Sequence, residues 1–178
     1  MIHGIESRGT YIIRACVAAM WSSVSVLQQL CPKVGAHIGY TGESFGGGLG
    51  ALALPWDSRF IKGHLTVPTF GHHPLRLQCQ CQGSGEAVRL YRQKNPQVTQ
   101  VLKFYDAATA ATRIKIPMVI APALFDPGVP PPGQWAVANA VQSSKHIHVL
   151  TAGHFAYPES GAEYQVLHEH LRTFFTMY

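Results

Sequence analysis

Residues 37–54 read HIGYTGESFGGGLGALAL: a short apolar run, a serine framed by Gly42 and Gly46, and then a string of small residues. An apolar run of this length, here Ala36 to Tyr40, predicts a strand, and the tail from Ser44 to Leu54 predicts a helix. Between them, Gly42-Glu43-Ser44-Phe45-Gly46 has the G-x-S-x-G spacing of a nucleophile elbow, a strained strand-to-helix turn that lifts a serine hydroxyl above the sheet edge. Glycine is expected at both flanking positions, because a side chain there would meet the neighbouring strand or helix. The backbone N–H of Phe45, at the helix start, would then face a developing oxyanion.

Working outward, Ile13, Val17, Met20, Val24 and Leu27 recur at three- and four-residue steps, which predicts one buried helical face ending before Pro32. Strand-like runs follow at Ile61 to Val67, Pro117 to Leu124 and His146 to Leu150. Helical segments fall between and after them, at Val101 to Arg113, Pro132 to Val141 and Gly161 to Phe175. Alternation of this kind predicts an α/β fold, mainly parallel, with helices on the sheet faces. The stretch Pro68 to Val98 breaks the alternation without clear periodicity, and is expected to be an insertion that caps a pocket, with Phe70 as a lining residue.

A serine needs a base and an orienting carboxylate to act as a nucleophile, and in this architecture the chain order is serine, acid, histidine. Asp126, in LFDPGVPPP, follows the third strand-like run, and His154, in LTAGHFAYPE, follows the fourth. Both are therefore expected at strand ends on the same rim as Ser44. Asp106, in KFYDAA, is a rival acid, but it falls inside a predicted helix. The pairs His72-His73, His146/His148 and His168/His170 could suggest metal ligands. Residues i and i+2 on a helix do not share a face, and the strand pair has no third ligand at a suitable spacing, so no metal is expected.

The 178 residues carry 14 Lys and Arg against 9 Asp and Glu, a net charge of +5, and are 47% hydrophobic. That balance predicts one soluble domain, and the scattered cations form no basic stripe, so no nucleic-acid partner is expected. Cys16, Cys31, Cys79 and Cys81 lack C-x-x-C spacing, which predicts reduced thiols and a cytoplasmic location. The uncharged run from Ala15 to Leu30 is short and broken by Ser and Gln, and no secretory leader is visible, so no membrane partner is expected.

Five segments together, GESFGGGLGALAL, HLTVPTFGHHPLRL, KFYDAATAATRIKIPM, ALFDPGVPPPGQWAVANA and GHFAYPE, resemble the acetyl xylan esterase / cephalosporin C deacetylase family of α/β-hydrolases. The resemblance implies hydrolysis of small acyl esters, typically acetyl groups on sugars, with Ser44 as nucleophile, Asp126 as orienting acid and His154 as base. It implies no cofactor, and a possible homo-oligomer. The chain departs from the family at Phe45, where glutamine is usual, and at Ala156, where glutamate is usual. MIHGIESRGTYIIR, residues 1–14, resembles the segment just before the nucleophile strand, so the family's earlier strands have no counterpart. The resemblance thus implies a partial α/β-hydrolase fold of about four strands, a single domain over 1–178 that looks N-terminally truncated, with 68–98 as a cap-like insertion. An esterase of small acylated substrates is the expected activity; an impaired remnant or interaction module is the alternative.

Overall fold

The computed structural model describes residues 1–34 and 37–176. Its strands are β1 (Ile38–Glu43), β2 (Phe60–Thr66), β3 (Met118–Ala121), β4 (Ala123–Phe125), β5 (Lys145–Ile147) and β6 (Leu150–Ala152). Its helices are α1 (Ile12–Leu30), α2 (Phe45–Ala53), α3 (His73–Arg76), α4 (Gly85–Lys94), α5 (Thr99–Leu102), α6 (Ala107–Ala111), α7 (Pro131–Ala140) and α8 (Ser160–Thr176). The main sheet runs β1-β2-β3-β5, all parallel, and β4 and β6 form a separate parallel pair. This is the flanked four-stranded parallel sheet that the alternation predicts.

Residues alternate faces along β3, and the core divides accordingly. Met118 and Ile120 join the larger cluster with α1, α2, α6 and α7, whereas Val119 and Ala121 join a smaller one with Leu150 and with Leu167 of α8. Ile5 and Tyr11, ahead of α1, are buried in the larger cluster, and Tyr11 meets Tyr105 edge-to-face. Of the five positions expected on the buried face of α1, Ile13, Val17 and Val24 are buried, Met20 is half-buried, and Leu27 is 40% exposed. The helix outruns the surface it covers, so its last apolar turn projects past the core.

Several boundaries differ from expectation. The first strand starts at Ile38 and runs on to Glu43; Ala36, its expected start, lies outside the described residues. The run Pro117 to Leu124 is two strands, because Pro122 has no N–H to continue the ladder. The run His146 to Leu150 breaks at the matching level, and β6 restarts beside β4 with Leu150 N–H donating to Pro122 O at 2.9 Å. Val101 to Arg113 is likewise not one helix. Asp106 is extended and caps α6, accepting from Thr109 N at 2.8 Å and His73 N at 2.6 Å. Asp106 is therefore a structural cap joining two helix starts. The 68–98 stretch contains α3 and α4 despite its irregular sequence.

Candidate active site

Ser44 stands between β1 and α2 with φ 54° and ψ −112°, a left-handed conformation that costs a non-glycine residue of order 1–3 kcal/mol. The turn is held from both sides: Ser44 N–H donates to Thr66 O at 2.9 Å, and Ser44 O accepts from Gly48 N at 3.0 Å and Thr69 N at 3.1 Å. Gly42 is required, since a Cβ there would lie 2.7 Å from the Gly46 carbonyl and from Tyr40 Oη. Gly46 is not; a Cβ there would meet only Tyr40 Oη at 3.8 Å, which corrects the expectation of a clash at both flanks. The glycines that follow answer to close approach instead. A Cβ on Gly47 would lie 2.9 Å from Thr66 O, and one on Gly48 2.7 Å from Thr69 O. Phe45 is the first residue of α2, where a backbone N–H has no acceptor within its own helix.

The β4/β6 pair brings the other two groups together. Phe125 is in register with Ala152, so Asp126 and His154 leave neighbouring strands side by side. His154 Nδ1 lies 2.9 Å from Asp126 Oδ2, and His154 Nε2 lies 2.9 Å from Ser44 Oγ. The carboxylate is fully covered, whereas the imidazole keeps 33% exposure. His154 also has a positive φ, 48°. Between them, Gly153 gives the carboxylate room, because a Cβ there would lie 2.4 Å from Asp126 Oδ2.

Asp126 is aimed by donors around it. Its Oδ1 accepts from Gly128 N and Val129 N, both at 2.8 Å, and its Oδ2 accepts from Gln134 Nε2 at 2.8 Å. Gln134 is fully buried and also links Val129 O (2.7 Å) to Ala123 N (2.8 Å). The histidine loop is braced by Glu163 of α8, which accepts from Thr151 N at 2.9 Å, from Thr151 Oγ1 at 2.5 Å and from Tyr157 Oη. Those bonds hold the Glu163 carboxyl below its usual range against the opposing effect of burial, and Glu163 braces the loop although Ala156 stands where glutamate is usual in the family. Sequence reasoning missed Gln134, Glu163 and Gly153. The available signal was slight: one amide in the first turns of the helix after the acid, and one carboxylate in the first turn of the helix after the histidine.

A cavity of about 70 Å³ opens beside Ser44 and His154, walled by Phe45, Thr69, Arg76 and Val129 among others. Residues 69–85 supply much of the wall. Phe70, expected to line it, does not. It is 1% exposed, and its ring packs edge-on under Phe45 with centroids 5.6 Å apart, because the chain turns inward after β2. Thr69, its neighbour, faces the cavity in its place.

The profile of the family described as acetyl xylan esterase (AXE1) matches residues 1–170. The chain belongs to the acetyl xylan esterase family. The acetyl xylan esterase from Paenibacillus sp. R4 superposes with a TM-score of 0.74 at 24% identity, over 94% of this chain and 55% of that one. Acetyl xylan esterase 1 from Thermoanaerobacterium sp. JW/SL YS485 gives 0.60 at 24% identity, over 74% and 44%. An acylaminoacyl peptidase from Pyrococcus horikoshii gives 0.69 at 17% identity, over 88% and 27%, so the likeness extends across the α/β-hydrolase fold. The chain spans about half the length of the acetyl xylan esterases it resembles. No curated protein sequence matches it. Among the described residues no helix is long and apolar enough to cross a membrane.

Proposed function

We propose that the chain carries the catalytic serine, acid and base of an esterase acting on small acyl esters, acetyl groups on carbohydrates first among them. The observation that supports this reading is the continuous hydrogen-bonded line from Ser44 Oγ through both nitrogens of His154 to Asp126. In the reaction, Ser44 Oγ attacks the ester carbonyl while His154 Nε2 takes its proton, and the Phe45 N–H faces the oxyanion. Collapse breaks the bond to the alcohol, which leaves with the proton from His154. Water, deprotonated by the same nitrogen, then hydrolyses the acyl-serine. Asp126 holds the Nδ1–H tautomer and balances the imidazolium as it forms.

The segment 68–98 acts as the cap that walls the cavity. Beside His154, Phe125 and Phe155 stack edge-to-face with centroids 5.3 Å apart and remain 52% and 55% exposed, an apolar platform suited to a sugar face. The four free thiols agree with a cytoplasmic location. With p-nitrophenyl acetate, the chain is expected to release a burst of one p-nitrophenolate per active serine, and Ser44→Ala to release none; an unchanged burst in Ser44→Ala removes Ser44 from the mechanism.

One observation favours a second reading, that of an interaction module or a chain that assembles with itself. Among the described residues β1, which carries the serine turn, is an edge strand of the main sheet, and an edge strand offers its outer backbone groups to a further strand. Size-exclusion chromatography with fluorophosphonate labelling separates the two: a labelled chain supports the esterase, and an unlabelled self-associating one supports the module.

A further inference from the structure

Three histidines outside the site meet where α8 crosses the sheet. His146 of β5 pairs with Val119, itself paired with His64, so it lies on the sheet face that α8 covers. His148, two residues on, follows on the same side, and His170 reaches across from α8. One ring nitrogen from each lies within 4.8 Å of the others. The His146 and His170 rings meet edge-to-face with centroids 4.4 Å apart. The absence of a third ligand argued against a metal in the sequence; the fold supplies that ligand from a helix more than twenty residues away.

We propose that His146, His148 and His170 bind one divalent transition-metal ion of the zinc, cobalt and nickel class. Neutral imidazole suits these ions, and a tetrahedral site with bonds of about 2.0–2.1 Å holds its nitrogens roughly 3.4 Å apart, a closure within reach of side-chain rotation. The ion would clip α8, whose one fully buried side chain is Leu167, to the sheet edge. Chelator-stripped protein titrated with Co²⁺ is expected to develop the visible absorption of a tetrahedral site at one ion per chain, and Zn²⁺ to raise the melting temperature. His146→Ala and His170→Ala should each weaken binding by about tenfold or more, as loss of one of three ligands requires, while His168→Ala on the same helix should not. Circular dichroism checks each variant, and exposed His146 is the safest position for the fold. Absence of binding by the wild type, or binding unchanged in both His146→Ala and His170→Ala, overturns the site.

A separate observation concerns the active-site cavity, and rests on the esterase reading. Arg76 is 2% exposed and lines the cavity, yet its guanidinium makes no hydrogen bond among the described residues. The acids around it are engaged elsewhere: Glu86 is held by Arg89 and Cys81 N, and Asp106 by His73 N and Thr109 N. Thr69 Oγ1, in the same wall, is also buried without a partner. Gly85, at the N-terminus of α4, leaves space for the guanidinium, since a Cβ there would lie 2.9 Å from both terminal nitrogens. A buried guanidinium with idle donors, a hydroxyl and a helix N-terminus around one cavity form a receptor for an anion.

We infer that the substrate carries a carboxylate, bound by Arg76. Two esters distinguish where it sits: p-nitrophenyl hemisuccinate bears it on the acyl group, and 4-acetoxybenzoate on the alcohol. One of the two is expected to exceed its neutral counterpart in kcat/KM by about tenfold or more, the scale of a charge-assisted hydrogen bond. In Arg76→Met that ratio should fall to about one, and in Arg76→Lys it should be partly kept. Equal or lower ratios for both anionic esters in the wild type overturn the assignment. If no ester is turned over, the esterase reading fails by itself. Calorimetric binding of succinate and 4-hydroxybenzoate then decides Arg76 alone: affinity lost in Arg76→Met supports it, and no binding to the wild type refutes it.

Discussion

Gln134→Leu tests the wiring behind the acid. The side chain is fully buried and makes three hydrogen bonds, to Asp126 Oδ2, Val129 O and Ala123 N. Leucine of similar volume leaves two backbone groups unpaired, at about 1–3 kcal/mol each, and takes one charge-assisted donor from the carboxylate, about 1.5 kcal/mol more. The greater apolarity of leucine returns about 1–2 kcal/mol. The net loss is about 3–4 kcal/mol, a fall in melting temperature of roughly 10 °C for a chain of this size. Because Asp126 keeps its bonds from Gly128 N and Val129 N but loses the donor on the oxygen nearer His154, kcat should fall more than KM rises. Urea unfolding followed by circular dichroism, with steady-state kinetics on p-nitrophenyl acetate, reads both quantities. A loss under about 1 kcal/mol with unchanged kcat would refute the reasoning, because such buried groups cannot go unpaired at no cost.

Gly42→Ala should cripple folding of the elbow whereas Gly46→Ala should be tolerated, as soluble yield and fluorophosphonate labelling of the two variants will show; equal behaviour contradicts the contacts at those positions. His64 is buried between Thr41 and Thr66, and burial pushes it down to about 4 from 6.5. The unfolded chain therefore binds the proton first on acidification, so up to about 3 kcal/mol of stability, complete above pH 6.5, is lost as pH falls towards 4, and His64→Gln should flatten that stretch of a urea-stability profile against pH. Phe155→Ala should raise KM for an acetylated xylo-oligosaccharide several-fold and leave the p-nitrophenyl acetate burst in place; equal effects on both would remove the sugar platform.

The order of elements and the three residues that meet at the candidate site, Ser44, Asp126 and His154, were legible in the sequence because each rests on a local signal: a strand-length apolar run, a glycine-flanked serine, an acid and a histidine each just past a strand. What escaped depends on contacts between distant residues. Nothing local to Asp106 shows that His73, more than thirty positions away, donates to it and so makes it a cap. Leu27 keeps the helical period but outlasts the surface beneath it, and Phe70 sits in a loop yet turns inward under Phe45. The split of the last two strand runs had a visible cause in Pro122, but its consequence did not: the second pair, β4 and β6, is what carries Asp126 and His154 beyond the main sheet.

That second pair explains how this chain brings Ser44, His154 and Asp126 into one hydrogen-bonded line. Each of the three groups is held by residues near it in the fold that this chain itself supplies. Thr66 O and Gly48 N hold the Ser44 turn, Gln134 and the amides of Gly128 and Val129 hold Asp126, and Glu163 braces the loop of His154. All three supports lie between β1 and the first turn of α8, so this arrangement depends on the parallel register of β2, β3 and β5 and on the β4/β6 extension. A perturbation confined to residues before α1 should therefore leave the distances among Ser44, His154 and Asp126 intact, whereas one that loosens α8 reaches His154 directly through Glu163.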